Sequence, residues 1–330
     1  MNLQGIFDMF PSKRIAIIGD VMLDAYVKGK VHRMSPEAPV PVLLLDHEEQ
    51  RLGGAANVAL NLKALGAQVH LCSVVGKDDA AKQLRTLLQE SGIESTALLE
   101  DVSRKTTVKT RVLSGSQHLL RIDQEDIDPL AESVEERFID AIKTLLDQGI
   151  DALIFEDYNK GVLTGKVIDR CIAFAKERQI VTCVDPKKEH FFSYQGVDLF
   201  KPNLKEINEG LGSEVDPKSI SSLMSASQAL RERLGHTLSL ITLSEHGVFV
   251  EDGMEATIIP AHFRDISDVS GAGDTVIAVA TLARCSGLNP AQMAALANLA
   301  GGMVCEHSGV VSVNKEELFL EAVKLGILNA

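Results

Sequence analysis

Eight residues near the carboxyl end, Asp268 to Thr275 (DVSGAGDT), join a small-residue turn to a carboxylate at the mouth of an apolar run, VIAVATLARC. A run of that length predicts a buried helix, which puts Gly271, Ala272 and Gly273 at its first turn, where backbone amides have no intrahelical partner. Those amides and the positive end of the helix dipole make a place for developing negative charge, as a transferring phosphoryl group requires. Asp274 follows directly, so its carboxylate reaches a hydroxyl aimed at the phosphorus and can take its proton as general base. The competing account is a tight turn with an aspartate cap.

The elements that must position such a site read as a βα alternation. Arg14 to Asp20 (RIAIIGD) is a short β-branched run that delivers a polar residue at its carboxyl end, and Asp24 follows closely. Leu52 to Gly66 predicts a helix entered through Gly53-Gly54, with Val58, Leu62 and Leu65 on one face. QVHLCSVVG, DAAKQLRTLLQESG, DALIFED, VIDRCIAFAKERQ, IVTCVD, VDLFKPN and LSLITLS continue the alternation. A mostly parallel sheet with helices on both faces follows. APVPVLLLDHEE, TTVKTRVLSG and SQHLLRIDQED break the rhythm as extended segments joined by a Ser-Gly-Ser turn, and predict a small accessory sheet. The chain reads as one domain, 1–330, with lid segments at about 38–50 and 104–124. The lid's apolar edge needs a cover, which the main domain, a ligand or a second subunit could supply.

Composition excludes several classes. With 330 residues, 45% of them hydrophobic, the chain can bury a large core, and its net charge of −13 disfavours nucleic acid or an acidic membrane as partner. Met1 to Lys13 has acidic Asp8 and no apolar leader, and no later apolar run reaches the ~18 residues of a membrane span, so a cytoplasmic location is expected. Five cysteines show no CxxC pair and nine histidines no HExxH, which argues against zinc. KGVLTGKV fails as a P-loop because Val167 stands where Ser or Thr must meet Mg²⁺, and no GxGxxG follows the first strand.

Together, GGAANVALN and DVSGAGDT resemble the two diagnostic motifs of the ribokinase (PfkB) carbohydrate kinase family, and the likeness covers nearly the whole chain. It implies a ribokinase-like three-layer α/β/α domain with a mostly parallel central sheet and a small β lid. GDVMLD, MSPEAPVPV, RLGGAANVALNLKALGAQVHL, LLRIDQED and DYNKGVLTG are similar to the branch acting on D-glycero-β-D-manno-heptose 7-phosphate. The resemblance then implies Asp274 as catalytic base, the Gly271 to Gly273 amides as anion hole, and Asp24, Gly53, Gly54 and Asn57 as holders of the sugar hydroxyls. Asn57 alone would read equally as a helix-surface amide.

KPNLKE places Asn203 and Glu206 at i and i+3, matching the family's N-x-x-E motif for Mg²⁺ and the ATP phosphates. Mg²⁺ keeps several waters, so one carboxylate, Glu206, suffices, through water if need be; an ordinary helix start is the other account. Thr242, Ser244 and Gly247 in LITLSEHGV lie where an open α/β sheet takes nucleotides, and Asn298 matches a position beside the adenine. A substrate that already carries phosphate needs a cation, for which Lys160, Lys187 and Arg121 are the candidates, with Arg111 and Arg33 as outsiders.

The family's second motif often begins Asp-Thr, whereas Val269 follows Asp268 here. That bears on a neighbouring monovalent cation, a further candidate cofactor beside ATP and Mg²⁺, and leaves Gly271 to Asp274 intact. No stretch is left over for a nucleotidyltransferase domain, so the sequence reads as the kinase alone. The expected activity is transfer of phosphate to the C1 hydroxyl of the heptose 7-phosphate, towards ADP-heptose and lipopolysaccharide, by a homodimer paired through the lid sheet. Two other readings stand beside it: a family kinase for another sugar, sugar phosphate or nucleoside, and a non-catalytic sugar- or nucleotide-binding regulator.

Overall fold

The computed structural model describes residues 2–115 and 117–327, with Thr96 by its backbone alone. The chain runs α1 (Leu3–Met9), β1 (Arg14–Gly19), β2 (Val21–Met34), β3 (Pro41–Gly54), α2 (Ala55–Ala64), β4 (Gln68–Gly76), α3 (Asp79–Glu90) and β5 (Glu94–Asp101). It continues through β6 (Thr107–Ser114), β7 (Gln117–Gln124), α4 (Glu132–Leu146), β8 (Ala152–Glu156), α5 (Gly165–Glu177), β9 (Val181–Asp185) and β10 (Leu199–Phe200). The last third holds α6 (Leu204–Leu211), α7 (Ile220–Leu234), β11 (Leu238–Thr242), β12 (Val248–Glu251), β13 (Ala256–Ile259), α8 (Ala272–Cys285), α9 (Pro290–Val304) and α10 (Lys315–Lys324).

The central sheet has the order β13-β12-β11-β10-β9-β8-β1-β4-β5, parallel from β11 to β5 and antiparallel at β12 and β13. Its inner strands are apolar on both faces, because helices cover both. Ile15 and Ile17 of β1 pack into a core with α2, α8 and α9, while the alternate Ala16 and Ile18 pack into a second core with α4, α5 and α7. Burying one such side chain stabilises the fold by roughly 1.5–3 kcal/mol, so α/β/α layering is over-determined.

The small sheet has the order β3-β2-β6-β7. It contains the expected extended segments and one more, β2, which lies outside the expected lid segments. The Ser114-Gly115-Ser116 turn includes Ser116, which lies outside the described residues. The expected helix at Leu52 to Gly66 begins only at Ala55, since Leu52 to Gly54 still pair with Val21 to Leu23 as the end of β3. Gly54 is at φ +59, and a Cβ there would meet the Asp20 carbonyl oxygen at 2.4 Å, so the strand-to-helix corner requires glycine.

Among the described residues, no helix is long and apolar enough to cross a membrane. The cysteines are free thiols; burial pushes Cys72 and Cys285 up to about 12, which leaves them protonated and unreactive.

Candidate active site

Parallel strands end in polar residues along one edge of the sheet: Asp20 after β1, Glu156 closing β8, Asp185 closing β9, Lys201 after β10 and Thr242 closing β11. That edge is where open α/β sheets bind ligands. The α8 N-terminus meets it, with Gly271 as N-cap at φ +81; a Cβ there would come within 2.7 Å of Asn57 Nδ2. Helix α8 is buried along nearly its whole length, so its first residue is fixed by the core.

Asp274 is buried, and both its oxygens receive donors: Asn57 Nδ2 donates to Oδ2 at 2.7 Å and the Tyr158 hydroxyl to Oδ1 at 2.8 Å. Burial raises its pKa above the ordinary carboxylate value, these two donors pull it down, Asp185 pushes it up and Lys201 pulls it down. A carboxylate offers about four lone-pair positions, so two donors leave room for a substrate hydroxyl. The anion hole is narrower than three glycine-turn amides: Ala272 N–H donates to the Val269 carbonyl at 3.3 Å. Among the described residues, the Gly271, Gly273 and Asp274 amides have no acceptor.

Asn57 therefore touches the expected base directly, and does so from inside, fully buried, rather than from a helix surface. Asp24 and Gly53 lie together on the lid: a Cβ on Gly53 would fall 2.1 Å from Asp24 Oδ2, so glycine leaves that carboxylate its place. Arg111, on the neighbouring strand, donates to Asp24 Oδ1.

On the other side, Glu156, Asp185 and Asp274 bring carboxylate oxygens within 4.8 Å of one another. Lys201 Nζ bonds Asp185 at 2.8 Å and Lys187 Nζ bonds Glu206 at 2.5 Å. Burial works against the charge on Lys187, yet Asp185 and Glu206 outweigh it and hold the ammonium well above its usual value. Glu156 is fully buried with neither oxygen hydrogen-bonded, and burial, then Asp185 and Asp274, raise its pKa far above 4.5. Four carboxyl groups, Glu156 with its pKa raised, face two ammonium groups, and such an all-oxygen donor set fits a hard divalent cation.

Asn203 and Glu206 form a reciprocal capping box on α6, with Glu206 N–H donating to Asn203 Oδ1 at 2.9 Å and Asn203 N–H to Glu206 Oε2 at 2.8 Å. Each Glu206 oxygen thus carries one donor, Oε1 from Lys187 and Oε2 from the Asn203 amide. Asn203 and Thr242 pair as a lone parallel bridge, joining this turn to the loop after β11. There Ser244 is exposed at φ +54, and Gly247 at φ +90 packs against Ile259 O, where a Cβ would overlap. Asn298 donates to the Pro260 carbonyl at 2.9 Å, tying α9 to the loop that follows β13.

The three nominated cations are each already paired. Lys160 meets Glu125 at 2.8 Å, Lys187 meets Glu206, and Arg121 makes a bidentate pair with Asp123 on the exposed edge strand β7. Sequence reasoning assigns no role to Tyr158, Glu156, Asp185 or Lys201, and names Asp20 only as the polar end of the first strand. Asp20 accepts amides of Tyr158, Lys160 and Val162 at 2.8, 3.1 and 3.2 Å and so shapes the loop that presents Tyr158. The signal available was positional: Asp20, Glu156 and Asp185 each end a β run.

The chemistry of this layout is phosphoryl transfer to an alcohol, the class of the ATP-dependent sugar kinases. Residues 12–317 match the pfkB family carbohydrate kinase profile, and the chain belongs to that family. Among curated proteins it is 40% identical over 325 residues to the "Bifunctional protein HldE" of Pelobacter propionicus, covering 98% of this chain and 66% of that one. It is 39% identical to the protein of the same name in Geobacter sulfurreducens, covering 96% and 64%. The chain thus spans less than two thirds of the length of the relatives it matches. In fold it is similar to phosphofructokinase-2 from Escherichia coli in complex with potassium (TM-score 0.78, 16% identity, 94% of this chain and 99% of that one). It is also similar to Arabidopsis thaliana ribokinase complexed with ribose and ATP (TM-score 0.74, 15% identity, 94% and 99%).

Proposed function

We propose that this chain transfers the γ-phosphoryl group of ATP to the C1 hydroxyl of D-glycero-β-D-manno-heptose 7-phosphate. The product is the 1,7-bisphosphate, a step towards ADP-heptose for the lipopolysaccharide core. The observation that carries the reading is Asp274, a buried carboxylate oriented by Asn57 and Tyr158 beside free amides of the α8 N-terminus. The sugar assignment is supported by the heptose-kinase-like stretches and by the identity to the bifunctional relatives over nearly this whole chain.

In this reading the acceptor hydroxyl donates to Asp274, which takes its proton as the bond to phosphorus forms, and the Gly273 and Asp274 amides meet the charge on the transferring group. Asp24, Gly53 and Gly54 hold sugar hydroxyls. Thr242, Ser244, Gly247, Asn203 and Asn298 line the nucleotide side. Glu156, Asp185 and, through water, Glu206 are the residues that would hold Mg²⁺, which when bound neutralises phosphate charge. The enzyme works in the cytoplasm as a homodimer. Its support is the outward lid face, where Leu120 and Ile122 stand exposed opposite Val112 and Thr110.

ADP release measured over a panel of sugars tests the assignment. The heptose 7-phosphate is expected to lead; preference for ribose, fructose or adenosine overturns the substrate. Asp274→Asn is expected to cut turnover by ~10²-fold or more with ATP affinity nearly unchanged, and wild-type turnover in that variant would remove the mechanism.

A further inference from the structure

Every other cation on the cleft side of this molecule that the preceding sections describe is held by a carboxylate. Lys109 is different. Among the described residues, no carboxylate lies within ion-pair reach of its ammonium, which instead sits 5.3 Å from the centre of the Tyr158 ring. The strand register explains the placement: on β6, Lys109 is opposite Asp24 of β2 and Asp123 of β7, so it shares their face of the lid, the face turned to the main domain. Each neighbouring carboxylate holds another cation: Asp24 through Oδ1 with Arg111, Asp123 with Arg121, and Glu125 through Oε1 with Lys160.

A half-buried ammonium without a counter-ion is unfavourable in the protein alone. Burial, then the neighbouring Lys160, lowers its pKa, with Asp24, Glu125 and Asp123 acting the other way. Such a group is retained where an anion arrives with the ligand. Position says which anion. Tyr158 donates to Asp274 at 2.8 Å, so Lys109 is one phenol ring away from the base. Lys187 rests near the same ring, at 5.4 Å, from the Asp185 and Glu206 side. Lys109 approaches from the lid, on the sugar's side of the base.

We infer that Lys109 is the anchor for the phosphate already carried by the acceptor, and therefore the residue by which this site selects a sugar phosphate over the unphosphorylated sugar. The inference rests on the proposed reading of the acceptor as a sugar phosphate.

The test compares wild type, Lys109→Met and Lys109→Arg in the full chain at saturating ATP. The acceptors are the heptose 7-phosphate and the same heptose without phosphate, and each variant's melting curve is recorded with and without the sugar phosphate. Wild type is expected to favour the phosphorylated sugar, and Lys109→Met to lose ~10²-fold of that discrimination, almost all of it in KM, as for loss of one charge-assisted phosphate contact. Lys109→Arg, which keeps the charge, is expected to restore most of it. The sugar phosphate should raise the melting temperature of wild type and of Lys109→Arg, and not that of Lys109→Met. If Lys109→Met keeps wild-type discrimination, the assignment of Lys109 falls while the kinase reading stands. If wild type itself makes no distinction between the two sugars, the substrate reading fails and takes this inference with it. A Lys109→Met chain that does not fold leaves the decision to Lys109→Arg and Lys109→Gln, compared on the same ratio.

Discussion

Tyr158 is the residue whose role could be stated only after folding. Its hydroxyl is one of two donors to Asp274, and that hydrogen bond holds the carboxylate's pKa below where burial alone would set it. Tyr158→Phe is expected to lower kcat by roughly tenfold, the worth of one buried hydrogen bond, and to move the acid limb of the pH–rate profile upward, because Asp274 must be ionised to accept a proton. An unmoved limb would deny Tyr158 its part. Glu156 makes a prediction of opposite kind. Its folded pKa is raised above 4.5, so the stability it allows is complete below that value and is lost as pH rises through the folded one. Glu156→Gln should therefore flatten the decline of stability with pH, by up to about 1.4 kcal/mol per unit within that window, read by denaturant titrations at several pH values. Equal slopes would show that Glu156 is ionised in the native state. Asp274 and its glycines were legible because an anion-binding helix start has a local signature. Tyr158 and Glu156 were not, since a tyrosine in a loop and a glutamate closing ALIFE acquire meaning only from what folds against them.

At the scale of elements, the lid was half legible. Its extended segments around a Ser-Gly-Ser turn announced β3, β6 and β7, but β2 begins apolar directly after β1 and then runs through Lys28, Gly29 and Lys30, with no turn or helix to set it apart. What makes it a strand is tertiary: Asp24 and Tyr26 face the cleft, and β3 and β6 flank it on either side. Gly53 shows how tightly those strands serve the sugar side. Gly53→Ala must displace Asp24, so kcat/KM for the sugar is expected to fall by ~10-fold or more while KM for ATP holds, since small misplacements of positioning groups are expensive in rate. An unchanged kcat/KM for the sugar would show that Asp24 is idle. The outward face makes its own prediction: Ile122→Glu, exposed and opposite Thr110, should halve the mass measured by light scattering. Wild type running as a monomer would reject the lid dimer outright.

For the molecule as a whole, layering was the most readable property, because a strand apolar on both faces has only one environment that suits it. Ile15 to Ile18 divide between the two cores as the alternation requires. The cations were the least readable. Charge in one dimension gives a count, and only folding revealed that Lys160, Lys187 and Arg121 are occupied while Lys109 is not.

Asn57 and Tyr158 stand 217 and 116 positions before the carboxylate they orient. On the ribosome, then, the sugar-side half of the machinery is made before α8 exists. A nascent or interrupted chain that stops short of α8 carries the lid and much of the sheet's sequence without Asp274. ATP turnover is therefore expected only of chains long enough to include α8, which packs against α2 and α9.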